Sequence, residues 1–135
     1  MTNVKRMASA RAHARIARSA DEVWKVAGDP DSITIWMQGV SSSSTDATGL
    51  RTVVVSGGLE VKEQIRVRDD KLRRLQYSLV EGPMPLEDHR ATIDVLEDGD
   101  GAIFVYSVDV APDELLTVFE NMTAGAVLAL AKHFD

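Results

Sequence analysis

The chain has 135 residues, the size of one domain, and no cysteine, which excludes disulfide frameworks, thiolate metal sites and cysteine nucleophiles. Its 15 basic and 21 acidic residues give a formal net charge of −6, which argues against a nucleic-acid-binding surface because such surfaces concentrate positive charge. Hydrophobic residues make up 44% of the chain but aromatic residues only 5%, so aliphatic side chains must build most of the core.

The N-terminal segment, residues 1–8, is expected to be a flexible lead-in to a single domain at residues 9–135. It carries early positive charge without an apolar stretch, so it lacks the pattern of a secretory signal. No window approaches the roughly 18 consecutive apolar residues that a membrane span needs. We therefore expect a cytoplasmic protein with no integral membrane association.

Residues 10–18 alternate between small or apolar and polar side chains, which is the period of a half-buried strand. Ser19 and Glu22 then form a capping-box pattern, which predicts a helix that ends at Gly28-Asp29-Pro30. A second short helix is expected over residues 31–37.

From residue 40 onward the period is two, and turn residues divide the chain into six predicted strands. These are 40–45, 50–56, 59–67, 72–81, 87–96 and 102–110. Pro112, followed by acidic residues, opens a long amphipathic helix to about residue 134. Its apolar stripe is expected to comprise Leu115, Phe119, Met122, Ala126, Ala129 and His133.

This order of elements predicts an α+β domain in which a seven-stranded antiparallel sheet curves around the C-terminal helix. The alternation also predicts which side chains face inward. They are Val61, Glu63 and Ile65; Leu75, Tyr77 and Leu79; His89, Ala91 and Ile93; and Phe104, Tyr106 and Val108. Leu59 and Val67 are expected to share the face of the first row, and Val95 the face of the third.

Several spaced segments carry a family resemblance that covers nearly the whole chain. They are Ile16-Ala-Arg-Ser-Ala-Asp-Glu-Val-Trp24, Gly28-Asp29, Trp36, Gly39-Val40, Gly49-Leu-Arg51, Val61-Lys-Glu63, Asp69-Asp70 and Tyr77-Ser-Leu-Val-Glu-Gly82 with Pro85. With the terminal helix, this set resembles the SRPBCC superfamily, which has the START-like or helix-grip fold. More narrowly, the chain resembles bacterial polyketide cyclase/dehydrase-type members.

The resemblance implies a cavity between the sheet and the long helix that holds an apolar ligand. Ser56–Leu59 occupies the place of the gate in plant hormone receptors of this superfamily, but this chain lacks the gate's proline and has Ser41 or Ser43 in place of their pocket lysine, so hormone-style sensing is not supported. Members include polyketide aromatases and cyclases, lipid and sterol carriers and plant hormone receptors, so the fold does not settle the function. The residues expected to contact a ligand are Val53, Val55, Val61, Glu63, Ile65, Tyr77, Leu79, His89, Ala91, Phe104, Tyr106, Phe119 and Met122.

Four polar side chains in this set could carry chemistry. Glu63 would need a partner or a proton if buried, and its alternative is an exposed strand end. His89 could donate a hydrogen bond or act as a general base, or it could be a rim histidine without chemistry. Tyr77 and Tyr106 could bind a ligand carbonyl or be core aromatics. Glu63 and His89 are expected two strands apart, about 10 Å, so they form a polar row rather than a preformed dyad.

Three functions remain open at this point. The first is a binding protein for a small apolar, polyketide-, isoprenoid- or lipid-like molecule. The second is a cyclase, aromatase or dehydratase that uses Glu63, His89 or a cavity tyrosine as acid or base. The third is an accessory protein that acts by partner contact. We expect no metal, because no histidine pair has metal-ligand spacing. We also expect no cofactor, no nucleic-acid partner, and a monomer or homodimer.

Overall fold

The computed structural model describes residues 6–135, so residues 1–5 of the expected lead-in lie outside the described residues, while Ala8 already belongs to the first strand. The strands are β1 (Ala8–Ile16), β2 (Val40–Thr45), β3 (Leu50–Val55), β4 (Glu60–Asp69), β5 (Arg74–Glu81), β6 (Asp88–Asp98) and β7 (Gly101–Ala111). The helices are α1 (Ala20–Ala27), α2 (Ile33–Trp36) and α3 (Leu116–His133), and short 3₁₀ turns at Pro30–Ser32 and Asp113–Leu115 precede α2 and α3.

All seven strands form one antiparallel sheet in the order β1-β7-β6-β5-β4-β3-β2. The first strand lies beside the last, from Ala8↔Val110 to Ile16↔Ala102, because α1 and α2 carry the chain from β1 across to the opposite edge. Helix α3 packs against β1, β7 and α2. The predicted α+β helix-grip architecture is confirmed.

The start of α1 follows the capping-box prediction. The Ser19 hydroxyl accepts a hydrogen bond from the Glu22 backbone N–H at 3.1 Å, which satisfies one of the free amides of the first turn. The helix ends at Gly28, where an added Cβ would lie 2.5 Å from the Trp24 ring. Glycine therefore allows the chain to leave α1 while it passes directly over the indole.

One inward row is interrupted by a bulge in β4. Ile65 lies opposite Tyr77, but the register then shifts and Val67 lies opposite Gln76. Since cross-strand partners share a face, Val67 points outward, and the prediction that it shares the face of Glu63 is wrong. The same prediction is wrong for Leu59, which precedes β4 in the turn and is 54% exposed. Arg68 takes the inward side instead, where its Nε donates to the Gly28 carbonyl at 2.7 Å.

The buried stripe of α3 differs from the predicted one. Its members are Phe119, Thr123, Ala126, Val127 and Leu130, whereas Met122 and Ala129 are half-buried and His133 is exposed. The stripe lies about 60° further around the helix than expected. The reason is that α3 turns its deepest face toward β1 and β7 and leaves the side that carries Met122 toward α2. By length and composition alone, Asp113–His133 is long and apolar enough to cross a membrane, a test that core helices of soluble proteins also pass.

Candidate functional site

A cavity of about 160 Å³ lies between the sheet, α2 and α3. Ten of the residues expected to contact a ligand line it: Val53, Val55, Val61, Glu63, Tyr77, Leu79, His89, Tyr106, Phe119 and Met122. Five further lining residues were not predicted: Ile33, Met37, Val40, Pro83 and Met84. Most of these lie in α2 or in loops, where strand alternation gives no information, so periodicity alone could not find them.

Three predicted contact residues lie outside the cavity wall. Ala91 and Phe104 face inward as expected but are fully buried in the core, where Phe104 packs edge-to-face on Trp36 with 6.1 Å between ring centroids. Ile65 is half-buried beside the β4 bulge and packs against the core. Alternation identifies the inward face of a strand, but it does not show how much of that face the short helices cover.

The cavity floor contains a buried ion pair that the sequence analysis only half identified. Glu63 faces inward and is 7% exposed, and it lies directly opposite Arg51 in the β3–β4 register. Arg51 Nε and Nη2 both donate to Glu63 Oε1, at 3.0 and 2.7 Å. Arg51 Nη1 donates to the Pro30 carbonyl at 2.7 Å, which ties the pair to the turn before α2. The missed signal was that Arg51 shares the alternating face of Val53.

Burial and the opposite charge act on this pair in different directions. Loss of hydration raises the pKa of Glu63, and the Arg51 charge opposes that rise. Loss of hydration also lowers the pKa of Arg51, but the Glu63 carboxylate and the surrounding groups outweigh it, so the pKa of Arg51 is raised. Every buried side-chain N or O atom among residues 6–135 has a hydrogen-bond partner. Oε2 of Glu63 has no hydrogen-bond partner in that range, so this oxygen is not fully buried. Because Glu63 lines the cavity, Oε2 is available to accept from a ligand.

Two tyrosine hydroxyls form a second polar group in the wall. Tyr77 and Tyr106 lie with their oxygens 2.6 Å apart, and the Arg51 guanidinium sits 4.4 Å from the centre of the Tyr77 ring. Burial raises the pKa of both hydroxyls, so both stay protonated at neutral pH. One proton makes the bond between them, which leaves the other hydroxyl proton for a different acceptor.

His89 is held in one tautomer by the backbone of the neighbouring strand. Pairing between β5 and β6 extends only to Tyr77↔Ala91, and beyond that point the Leu79 N–H donates to His89 Nδ1 at 3.0 Å. An accepting Nδ1 carries no proton, so the ring proton is on Nε2. Loss of hydration lowers the pKa of His89 to about 4. Near neutral pH the ring is therefore a neutral donor through Nε2, which favours the hydrogen-bonding role over the general-base role.

The polar groups line one wall but do not form a dyad. Glu63 on β4 and His89 on β6 are separated by β5, as expected, and no hydrogen bond joins them in the described part of the chain. Between residues 6 and 135, no group of three or more His, Asp or Glu side chains is placed to hold a metal ion. The wall thus offers an acceptor and donors to a ligand that reaches several of them at once.

Comparison with known proteins places the chain in a family with the fold described above. A family model described as polyketide cyclase / dehydrase and lipid transport matches residues 7–133. The chain matches no curated protein sequence.

Three solved structures show the likeness of the fold. The XoxI protein of Bacillus cereus is 24% identical with a TM-score of 0.87, covering 94% of this chain and 95% of that one. The Zhui aromatase/cyclase of Streptomyces is 16% identical with a TM-score of 0.80, covering 95% and 93%. Norcoclaurine synthase of Thalictrum flavum, in complex with dopamine and hydroxybenzaldehyde, is 20% identical with a TM-score of 0.71, covering 96% and 85%.

The ion pair predicts different pH responses for its two single variants. Arg51→Met leaves Glu63 buried without a counter-charge, which lowers the free energy of unfolding by about 3–5 kcal/mol near neutral pH. Burial already raises the pKa of Glu63, so the carboxyl takes up a proton and this cost shrinks as the pH falls. Glu63→Leu removes the titrating carboxyl and leaves an arginine that stays charged, so the free energy of unfolding of this variant carries no pH dependence from the pair.

Urea unfolding of both variants from about pH 8 to about pH 5 checks this prediction. The double variant Arg51→Met/Glu63→Leu serves as the control and should recover most of the lost stability, because neither charge remains buried. A pH-independent cost for Arg51→Met would contradict the raised pKa of Glu63.

His89 predicts a loss of stability in mild acid. Its pKa falls from 6.5 to about 4 on folding, so the unfolded chain binds the proton first. The stability from His89 is complete above pH 6.5 and is lost as the pH falls toward 4, by on the order of 3 kcal/mol. We expect the difference in free energy of unfolding between the wild type and His89→Gln to change by on the order of 3 kcal/mol between pH 6.5 and pH 4, as measured by urea unfolding. Parallel curves for the two proteins would show that the histidine is not held neutral.

Proposed function

Because the chain belongs to the polyketide cyclase / dehydrase and lipid transport family, we propose that it binds a small, mainly apolar ligand between the sheet and α3. The observation that carries this proposal is the apolar cavity with Glu63 and His89 in its wall. Ligand sites are typically apolar spaces with a few convergent polar groups, which is the arrangement found here.

The size of the cavity supports a ligand with a single ring. Its volume is about 160 Å³, and an apolar cavity of roughly 150 Å³ is known to bind benzene. The polar atoms support a substituted ring, because Glu63 Oε2 can accept from a hydroxyl while His89 Nε2 can donate to an oxygen. Dopamine and hydroxybenzaldehyde, bound to the related norcoclaurine synthase, are rings of this kind. We extend that ligand class to this chain as part of the proposal.

Binding of p-cresol tests the proposal. We expect a Kd between about 10 μM and 1 mM by calorimetry, and weaker binding of toluene, which lacks the hydroxyl. Glu63→Gln keeps the side-chain size but removes the charged acceptor, so it should reduce the preference for p-cresol over toluene.

A matched pair of variants on β4 controls this measurement. Val61→Phe fills the cavity and should abolish binding, whereas Val67→Phe adds the same group on the outward face and should leave binding unchanged. If p-cresol binds equally to both variants, the ligand does not occupy this cavity and the proposal fails.

A second candidate function, a dehydratase-type enzyme, is favoured by one specific observation. Burial raises the pKa of Glu63 while its Oε2 remains accessible, which suits a base that takes a proton next to a ligand carbonyl. In this reaction Glu63 would take the α-proton of a β-hydroxy ketone. Glu63 would then pass this proton to the β-hydroxyl, which leaves as water when its C–O bond breaks, while His89 Nε2 or a tyrosine hydroxyl donates a hydrogen bond to the ketone oxygen.

Turnover of 3-hydroxycyclohexanone to cyclohexenone and water distinguishes the enzyme from the carrier. The product absorbs in the ultraviolet, so the rate can be followed directly. An enzyme should lose about 100-fold or more in kcat with Glu63→Gln while it still binds p-cresol. Equal rates for the wild type and Glu63→Gln would exclude Glu63 as the catalytic base and would support the binding function only.

A further inference from the structure

We propose that the ligand site continues from the cavity into a surface groove between α2 and α3, and that it takes an elongated two-ring aromatic molecule. This inference rests on the proposed function, because the inner ring would occupy the cavity. The cavity measures about 160 Å³, below the roughly 300–1,000 Å³ of most small-molecule sites. A larger ligand therefore needs additional space that borders the cavity.

The groove supplies such space at the surface. It has a volume of about 230 Å³ and lies across the end of α2 and the middle of α3. Its walls are Met37, Gln38, Asn121, Met122, Gly125 and Ala126. A Cβ added at Gly125 would meet nothing within 4 Å, so the α3 backbone is open to an occupant there.

Two methionines separate the groove from the cavity. Met37 and Met122 line both spaces, and both are half-buried. A methionine side chain is unbranched with three rotatable bonds, so it can repack without the loss of a hydrogen bond. Met37 is also the residue where α2 ends in an extended conformation. Rotation of these two side chains would join the spaces into one site of the usual size.

The rim of the groove indicates the chemistry of the outer end of the ligand. Gln38 follows the end of α2, Asn121 lies on α3, and both are exposed. Their side-chain amides have no hydrogen-bond partner among residues 6–135. Each amide offers both a donor and an acceptor. They suit a hydroxyl or carbonyl on the outer ring, while the methionines contact its apolar faces.

Other openings fit an apolar ligand less well. A polar cleft also reaches Leu79 and His89, but its other walls include Arg66, Asp88 and Arg90, whose hydration an apolar ring would displace. The loop at Ser56–Leu59, at the place of the gate in the plant hormone receptors, contributes no residue to the cavity wall. The groove between the helices is a mainly apolar space that shares two wall residues, Met37 and Met122, with the cavity.

Two phenols of different length test the inference. p-Cresol has one ring and needs only the cavity, whereas 4-phenylphenol has two and needs the groove as well. Gly125→Leu should weaken 4-phenylphenol binding at least about tenfold and leave p-cresol affinity unchanged. The physical reason is that a side chain at this helix position leans over the residues three and four places before it, which are Met122 and Asn121.

Ala124→Leu is the matched control, because it adds the same side chain to the exposed face of α3 at a residue that does not line the groove. As a readout that needs no groove variant, the side-chain amide resonances of Gln38 and Asn121, which line the groove but not the cavity, should shift with 4-phenylphenol and not with p-cresol in the wild type.

The outcomes separate this inference from the proposed function. If the wild type binds p-cresol but not 4-phenylphenol, or if Gly125→Leu binds both phenols unchanged, the groove is not part of the site while the cavity function stands. If the wild type binds neither phenol, the proposed function itself fails. An equal loss of 4-phenylphenol binding in Gly125→Leu and Ala124→Leu would also overturn the inference, because the effect would not be specific to the groove.

Discussion

The buried pair of Arg51 and Glu63 is the interaction on which the rest of the site depends. Two charges that leave water need each other, and here the pairing fixes β3 against β4 while the third guanidinium nitrogen holds the Pro30 carbonyl. The turn before α2 is therefore tied to the sheet by the same side chain. The pair also keeps one carboxylate oxygen accessible in a wall that is otherwise mostly apolar.

The second constraint is the early end of pairing between β5 and β6. Beyond Tyr77↔Ala91 the Leu79 N–H has no backbone partner on β6, and it donates to His89 Nδ1 instead. The His89 side chain thus accepts the hydrogen bond that a β6 carbonyl does not provide to Leu79, and this bond fixes the ring proton on Nε2. This explains why a titratable ring can be a stable neutral donor in the wall, at the cost of stability in acid.

The sequence predicted the element order, the strand faces and ten lining residues because alternation and capping are local signals. It did not predict that Val67 points outward, because a bulge depends on how two strands pair. Nor did it identify Arg51 as the partner of Glu63, since register is a relation between strands. Met37, Pro83 and Met84 escaped for a similar reason: loops and short helices approach the cavity through tertiary packing.

The few aromatic side chains are concentrated around the cavity. Four of the chain's seven aromatic side chains, Trp36, Tyr77, Tyr106 and Phe119, lie in or directly beside the cavity region, where they contact one another, Arg51 or His89. The remaining wall consists largely of valine, leucine, isoleucine and methionine. Met37 and Met122, on the side of α2 and α3, place adaptable side chains between the cavity and the groove. A rigid polar wall opposite an adaptable apolar one suits a site that fixes one end of a ligand and adjusts to the length of the other.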